Sequence, residues 1–450
     1  RLPIVKIEIR SDESGTVSIV VLDNGAGVPE EQIPDAFGRV LYGSKYTNRQ
    51  KRGTFGLGVT MAVLYGQITT DKPMTVHSRT EENDGLLFQL LVDVENNAPL
   101  TVEKKTLHRS EIGTTVTITM KGDLKRSQDR IVDYLRLSAI STPHARFHLT
   151  VDDEAELSLG GFSKSIPPPV TTSLPHPRAA DVEVLRRLMQ RDSTRTLHDF
   201  LRSSFQKIGP RTATKFLRFM NLHPGRIIGE LEREDLVSLS VALRNYDGFE
   251  SPDGKCLSPI RKENFKHSVS AVFNASKVYY SLRGPSEWQG NPFIIEAVLA
   301  VGDEFPRSDI PTLYRFANRV PLLYDLNDDI LMKVLKRTRW ARYNLDTAVP
   351  VALFVHICST RIPFKAAGKQ SIASISEIEA EAHLLFKELG RKLNKMTTQV
   401  QHSAREAKKM REFTKSFRQI VRFSASLAES ETVPSTDSLV RKLFEVDSDA

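Results

Sequence analysis

The chain is poor in cysteine, in long apolar runs and in histidines spaced to hold a metal, and each shortage removes a class of protein. Only two cysteines occur in 450 residues, Cys256 and Cys358, about a hundred positions apart. That spacing argues against a disulfide scaffold or a cysteine zinc site and fits a reducing compartment. No run approaches the roughly eighteen apolar residues of a membrane span, and no signal peptide is visible, so no membrane partner is expected. The eleven histidines are scattered. His144, His176 and His356 lack metal-ligand spacing and are read as structural. No Ser-His-Asp arrangement is recognisable, and Tyr42, Tyr324 and Tyr343 read as packed aromatics rather than nucleophiles. The chain also opens on Arg1, directly before the strand-like IVKIEI, so a preceding segment is expected.

What is present is ordinary globular protein, with 40% hydrophobic and 26% charged residues, which calls for neither a disordered nor a fibrous reading. The length suits about three domains. A net charge of +8 is compatible with a polyanion partner.

The most informative stretch runs from Asp23 to Gly58, DNGAGVPEEQIPDAFGRVLYGSKYTNRQKRGTFGLG, with seven glycines. Upstream, VSIVVLD alternates as a strand ending on Asp23. A glycine turn follows, then an amphipathic segment, a basic polar loop and a second glycine turn opening onto the helical pattern VTMAVLYGQ. A strand-end carboxylate can accept a hydrogen bond from the adenine amine, and flanking glycines let backbone approach a flat ring. Glycines at a helix entrance present N–H groups and the positive dipole end to phosphate. Asp-Asn-Gly is equally a common turn. Two such turns, followed by Gly113 and Thr114 before a half-polar strand, strengthen the nucleotide reading. Around Gly368 and Lys369 a P-loop fails, because Pro363 and Gln370 occupy its glycine and hydroxyl positions. Gly53, Gly56 and Gly58 reverse the spacing of the dinucleotide fingerprint. Lys369 itself reads either as a solvated lysine or as a mobile charge at a loop tip that reaches a phosphate from a neighbouring domain.

In chain order, residues 1–165 read as an α/β domain with a helix near 58–69 and a closing helix from Asp129 to Ile140. In GTTVTITM, Thr115, Thr117 and Thr119 form a polar face against Val116, Ile118 and Met120, which are expected to be buried. Residues 166–180 are a proline-rich linker or wrapped connection. Residues 181–250 are helical, with Val182, Leu185, Leu188 and Met189 on one face and Leu197, Phe200, Leu201 and Phe205 on another. Basic residues recur here, including Arg186, Arg187, Arg191, Arg202, Lys207, Arg211, Lys215 and Arg218, as a solvated face or a polyanion surface. Residues 251–410 form a second α/β unit in which NPFIIEAVLAVG and VPVALFVHICST read as buried strands. A long helix follows, with Ile375, Ile378, Ala382, Leu385, Leu389, Leu393, Met396 and Val400 at helical spacing and Ser376 with Glu379 as a capping box. Residues 411–450 are expected to be an extension or partly disordered tail.

DNGAG, FGRVLYGSKY, RGTFGLGVTMAVLYGQ and GTTVTI in this order resemble the ATPase fold shared by gyrase, MutL, histidine kinases and heat-shock chaperones. With SSFQKIGPRTATKF, LYRFANRVPLLYD, RWARY and FVHICSTRIPFKAAGKQSIA, the chain resembles the topoisomerase VI B-subunit family over about residues 1–400. The resemblance implies a multidomain α+β fold: a Bergerat-type ATPase sandwich, a helix-two-turn-helix domain and an α/β transducer with a long C-terminal helix. It implies that Asp23 binds the adenine amine with Gly25 and Gly27 shaping the pocket, and that Gly53, Thr54, Phe55, Gly56, Leu57 and Gly58 form the phosphate lid. Thr114 would support Asp23 and the adenine, and Lys369 would contact the terminal phosphate. ATP and Mg2+ are the implied cofactors. The implied partners are an A subunit carrying the DNA-cleaving tyrosine, a second B subunit recruited on ATP binding to give a heterotetramer of two A and two B subunits, and double-stranded DNA. The family's first motif, with its general-base glutamate and magnesium-holding asparagine, and its N-terminal strap are expected upstream of Arg1. On that expectation no catalytic or metal residue lies in these 450 residues, which would not by themselves turn over ATP well. The expected location is intracellular, nuclear in a eukaryote and cytoplasmic in an archaeon. The alternative is a non-hydrolysing B-like scaffold subunit of a meiotic DNA-cleavage complex. A chaperone or kinase on the same ATPase fold would not need the middle helices and the AGK loop.

Overall fold

The computed structural model describes residues 2–40, 42, 49–53, 56–167, 169–190, 192–345, 349–366, 368–429 and 435. The chain divides into a larger unit, Arg1–Thr338 with Thr347–Leu389, and a smaller one, Arg339–Asp346 with Gly390–Ala450.

The larger unit opens with a sheet of β1 (Ile4–Ser11), β2 (Thr16–Asp23), β3 (Met74–Arg79), β4 (Leu86–Asp93), β5 (Ala98–Thr106), β6 (Gly113–Lys121), β7 (Arg146–Val151) and β8 (Ala155–Gly160). Among the described residues the order is β5-β4-β3-β6-β2-β1-β7-β8, antiparallel throughout except where β1 meets β7. With it come α1 (Ile33–Gly38), α2 (Gly58–Thr70) and α3 (Leu124–Ser141). Strands β3 and β4 alternate with period two, and their inward Met74, Val76, Leu86, Phe88, Leu90 and Val92 cluster with Ile33 of α1 and Val63 of α2. A separate core joins Ile7, Ile9, Val17, Leu149 and Val151 to Leu124 and Leu135 of α3. Helix α3 starts five residues before the expected Asp129, because the Asp123 side chain accepts the Arg126 N–H at 3.0 Å and caps it. In β6, Val116, Ile118 and Met120 are half-buried rather than buried.

After β8 the described residues of the proline stretch form no regular element until a short turn at Pro177. It is nonetheless held: the Pro175 carbonyl accepts Gln206 N–H at 3.1 Å, and His176 Nε2 meets the Glu250 carbonyl at 2.8 Å. Four helices follow, α4 (Val182–Met189), α5 (Leu197–Ser204), α6 (Pro210–Phe219) and α7 (Arg233–Asn245). Leu185, Met189, Leu197, Phe200, Leu201 and Phe205 enter one core with Phe216, Leu239 and Leu243, as their spacing required. Pro210 stands at the first helical position of α6, where no N–H is needed.

The second sheet consists of β9 (Lys277–Trp288), β10 (Asn291–Val301), β11 (Thr312–Ala317), β12 (Val320–Leu322) and β13 (Val351–Ser359), ordered β12-β11-β13-β10-β9 and packed with α8 (Lys262–Phe273); α9 (Ile330–Arg337) precedes β13. Strand β10 from Asn291 to Ala300, and β13 throughout, are buried, which explains their unbroken apolar runs. Helix α10 runs from Ser376 to Leu427, so the first part of the expected tail is helical. Ile378, Ala382, Leu385, Leu389, Leu393 and Met396 are its buried stripe. Ser376 is the first helical residue rather than a cap: its hydroxyl donates to Glu377, and Glu379 pairs with Arg337. Among the described residues, no helix is long and apolar enough to cross a membrane.

Candidate functional site

Register builds the site around Asp23. Strand β2 lies between β1 and β6, with Val5 opposite Asp23 and Leu22 opposite Thr115, so the carboxylate emerges where three strand ends meet. Its Oδ1 accepts the Gly25 N–H at 2.7 Å. Asn24 turns the other way and clasps β1, accepting Ile4 N–H at 2.8 Å and donating to the Leu2 carbonyl at 3.0 Å. Beyond the turn, Val28 N–H donates to Ser78 Oγ at 2.7 Å, and Ser78 Oγ donates to the Val28 carbonyl at 3.1 Å. Ser78 is fully buried and lies opposite Thr114, while Arg79 lies opposite Gly113.

Glycine is required at two of these contacts. A Cβ on Gly27 (φ +78°) would stand 2.2 Å from the Arg79 carbonyl oxygen, and one on Gly113 (φ +143°) would stand 2.1 Å from that of Asp23. A side chain at Gly25 would crowd the Asp23 carboxylate, at 2.7 Å from Oδ1. Asp23, Gly25, Gly27, Gly113 and Thr114 therefore form one cluster of closely packed backbone, in which Gly25 borders the carboxylate. Arg109 supports it from behind: Nη1 donates to the His77 carbonyl at 2.8 Å and to Thr115 Oγ1 at 2.9 Å, and Nη2 to the Asp23 carbonyl at 3.4 Å. Burial lowers the Arg109 pKa, and the Asp23 and Glu111 carboxylates oppose that shift.

The second glycine turn is arranged differently. Thr54 and Phe55 lie outside the described residues. Gly56 (φ +64°) packs on Tyr42, where a Cβ would stand 2.3 Å from the carbonyl oxygen. Gly58, the first residue of α2, faces open space, and no side chain caps α2 at Leu57. The N–H groups of that first turn are the kind of donors an anion accepts. Gly66 lets α2 sit directly on β6, since a Cβ there would be 2.6 Å from the Thr119 carbonyl oxygen. Lys369, at φ +55° in the loop closed by Phe364 and Ile372, directs Nζ to the Arg52 carbonyl at 3.5 Å, beside Gly53. The predicted residues thus fall into an Asp23 cluster and a Gly53–Lys369 group, with Leu57 and Gly58 at the entrance of α2.

Sequence reasoning passed over Ser78, Arg109 and Gln50. Ser78 was detectable: it occupies the inward register that Met74 and Val76 fill with apolar side chains. Arg109 stands in a polar loop and Gln50 in a basic one, where neither residue type stands out. Among the described residues, no group of three His, Cys, Asp or Glu side chains is placed to hold a metal ion.

Residues 2–122, which contain the Asp23 cluster, match the family described as histidine kinase-, DNA gyrase B- and HSP90-like ATPase. Residues 252–409 match that described as topoisomerase VI B subunit, transducer. The B subunit of type 2 DNA topoisomerase 6 from Pyrobaculum aerophilum is 36% identical over 392 residues, covering 86% of this chain and 74% of that protein. The protein of the same name from Saccharolobus solfataricus is 37% identical over 418 residues, covering 91% of this chain and 78% of its own length. With both matched segments in order and relatives more than a third identical over most of its length, the chain belongs to the B-subunit family of type 2 DNA topoisomerase 6.

Proposed function

We propose that this chain, as the ATP-binding B subunit of a type IIB DNA topoisomerase, seats adenine against Asp23 and phosphate at the entrance of α2. The observation that carries the reading is a strand-end carboxylate set among tightly packed glycines: a side chain at Gly25 would collide with the Asp23 carboxylate, one at Gly113 with the Asp23 main-chain carbonyl, and one at Gly27 with that of Arg79. Asp23 would accept the exocyclic amine while Thr114, opposite buried Ser78, borders the same space. The uncapped first turn of α2 and the Lys369 ammonium would supply donors and positive charge to phosphate. Magnesium belongs to this reading as the counter-ion of the phosphates, and no step is assigned to it.

Nucleotide binding would bring two B subunits together, with an A subunit cutting the DNA through which a second duplex passes. The net charge of +8 and the basic residues of α4–α6 favour contact with DNA phosphates, with affinity falling as salt rises. The division at residues 165, 180, 250 and 410 into ATPase, linker, helix-two-turn-helix, transducer and extension is part of the same proposal.

Titration with a non-hydrolysable ATP analogue tests it. Asp23→Asn replaces a charged acceptor and is expected to weaken binding about 10- to 100-fold; unchanged affinity would remove adenine from this turn. Lys369→Ala should cost more affinity for the triphosphate analogue than for ADP, and equal losses would remove it from the terminal phosphate.

A further inference from the structure

Residues 50–52 lie between the two glycine-rich turns, in a loop whose polar side chains have every reason to stay in water. Gln50 is buried instead. Both ends of its amide engage one residue 208 positions away: Oε1 accepts Ser258 N–H at 2.7 Å, and Nε2 donates to the Ser258 carbonyl at 3.4 Å. The carbonyl of the next residue, Lys51, accepts Asn318 Nδ2 at 2.7 Å. That of Arg52 receives Lys369 Nζ at 3.5 Å. Three consecutive residues are thus gripped by three separate segments: the stretch entering α8, the β11–β12 turn and the loop after β13. Burial keeps water from competing for the two Gln50–Ser258 bonds.

The receiving segments are anchored deep in the second sheet. Asn318 also donates to the Ser359 carbonyl and accepts Ser359 N–H, both at 2.9 Å, which fixes it to the end of β13. Arg319 Nη2 donates to the Ser258 carbonyl at 3.2 Å and to Ser258 Oγ at 3.0 Å, so the two gripping segments are tied to each other. Arg319 N–H donates to His356 Nε2 at 3.1 Å, which places the imidazole proton on Nδ1, facing Glu296 Oε1 at 2.7 Å. Glu296, fully buried, further accepts Ile260 N–H at 2.6 Å, Arg261 N–H at 3.0 Å and Tyr280 O–H at 2.8 Å. Residues 50–52 therefore cannot shift without moving groups that satisfy a buried carboxylate, which is costly to leave unpaired.

We propose that Gln50 and Asn318 are positioning residues of a mechanical clamp that carries the nucleotide state of the entrance of α2 into the second sheet, separately from any contact of Lys369 with phosphate. The proposal rests on the nucleotide reading above. Coupling of this kind needs an element that both sites bias, and the β11–β12 turn with residues 258–261 is that element.

Hydrogen exchange by mass spectrometry on the full chain, with and without adenylyl imidodiphosphate, provides the test. In the unsubstituted chain the analogue should alter exchange both in α2 and in residues 256–261 and 313–322. Gln50→Leu removes both amide bonds. Asn318→Asp keeps the acceptor for Ser359 N–H, tolerates the left-handed conformation at φ +47°, and replaces the donor to the Lys51 and Ser359 carbonyls. Both variants should keep the response in α2 and lose it in the second-sheet peptides. A second-sheet response that survives in the two clamp variants overturns the proposal, as does its loss together with the α2 response. No response in the α2 of the unsubstituted chain removes the nucleotide reading, and the clamp with it; that outcome is read without any variant.

Discussion

Two polar groups in the larger unit are built to opposite specifications. In the second sheet, Arg315 is almost fully buried and donates to Asp329 at 2.8 Å, to the Leu322 carbonyl at 3.2 Å and to the Tyr324 carbonyl at 2.6 Å. Asp329 in turn accepts Leu331 N–H and Ile372 N–H, each at 2.8 Å. The Asp23 carboxylate is half-buried, accepts the Gly25 N–H at 2.7 Å and has no room beside it for a side chain at that glycine. The first group spends its hydrogen bonds on the protein's own loops and strands, whereas the second commits its carboxylate to a single backbone turn. Charge and burial together mark architecture here, whereas the half-buried strand-end carboxylate is the one for which we propose a ligand.

The largest expected effect tests the architectural half. Asp329→Ala leaves the Arg315 guanidinium buried without its carboxylate and strips acceptors from two N–H groups, so unfolding in urea should lose about 3–5 kcal/mol. A loss below about 1 kcal/mol would erase the distinction. Next comes pH. His144 is buried, and its pKa is pulled down to about 4, by burial first and then by the Arg319 and Arg52 guanidiniums. The folded state therefore holds a neutral imidazole that charges in the unfolded chain near pH 6.5. Stability present above that pH should fall as pH drops through the interval down to about 4, by up to about 3 kcal/mol. His144→Gln should flatten that slope in a pH series of melting curves; an unchanged slope assigns it elsewhere. The smallest effect sharpens the ligand half. Gly113→Ala, which forces a Cβ against the Asp23 carbonyl, should cost about 1–3 kcal/mol and weaken analogue binding. Gly58→Ala meets open space and should stabilise α2 by up to about 1 kcal/mol. Equal stability losses at the two glycines would show that the close backbone packing beside Asp23 has no special structural role.

Much of this was legible in the sequence wherever periodicity or a chain-local rule decides. The strand ending on Asp23, the doubly buried β10 and β13, and the apolar faces of α4 and α5 all follow from spacing. What was hidden depends on partners remote in sequence. Gln50 is buried because Ser258 and its neighbours close over it, and nothing within the loop NRQKR announces that. Ser376 with Glu379 matched a capping pattern, but Arg337 takes the glutamate and the helix begins one residue too early for the serine to cap it. Val116 and Ile118 alternate as a buried face should, yet their surroundings cover them only in part.

The double pairing of β2 has a consequence for how this chain tolerates length changes. Because β2 is registered against β1 on one side and β6 on the other, the face Asp23 occupies is specified twice. A single-residue insertion inside β2 would turn its carboxylate to the opposite face and break both ladders at once. The same insertion in the exposed Asp12–Gly15 turn leaves both registers intact and falls where extra residues are readily absorbed. The reading frame of one eight-residue strand thus has almost no slack, while an insertion in the bend before it would disturb only that turn's own hydrogen bonds and those it makes with Lys121 and Gly122.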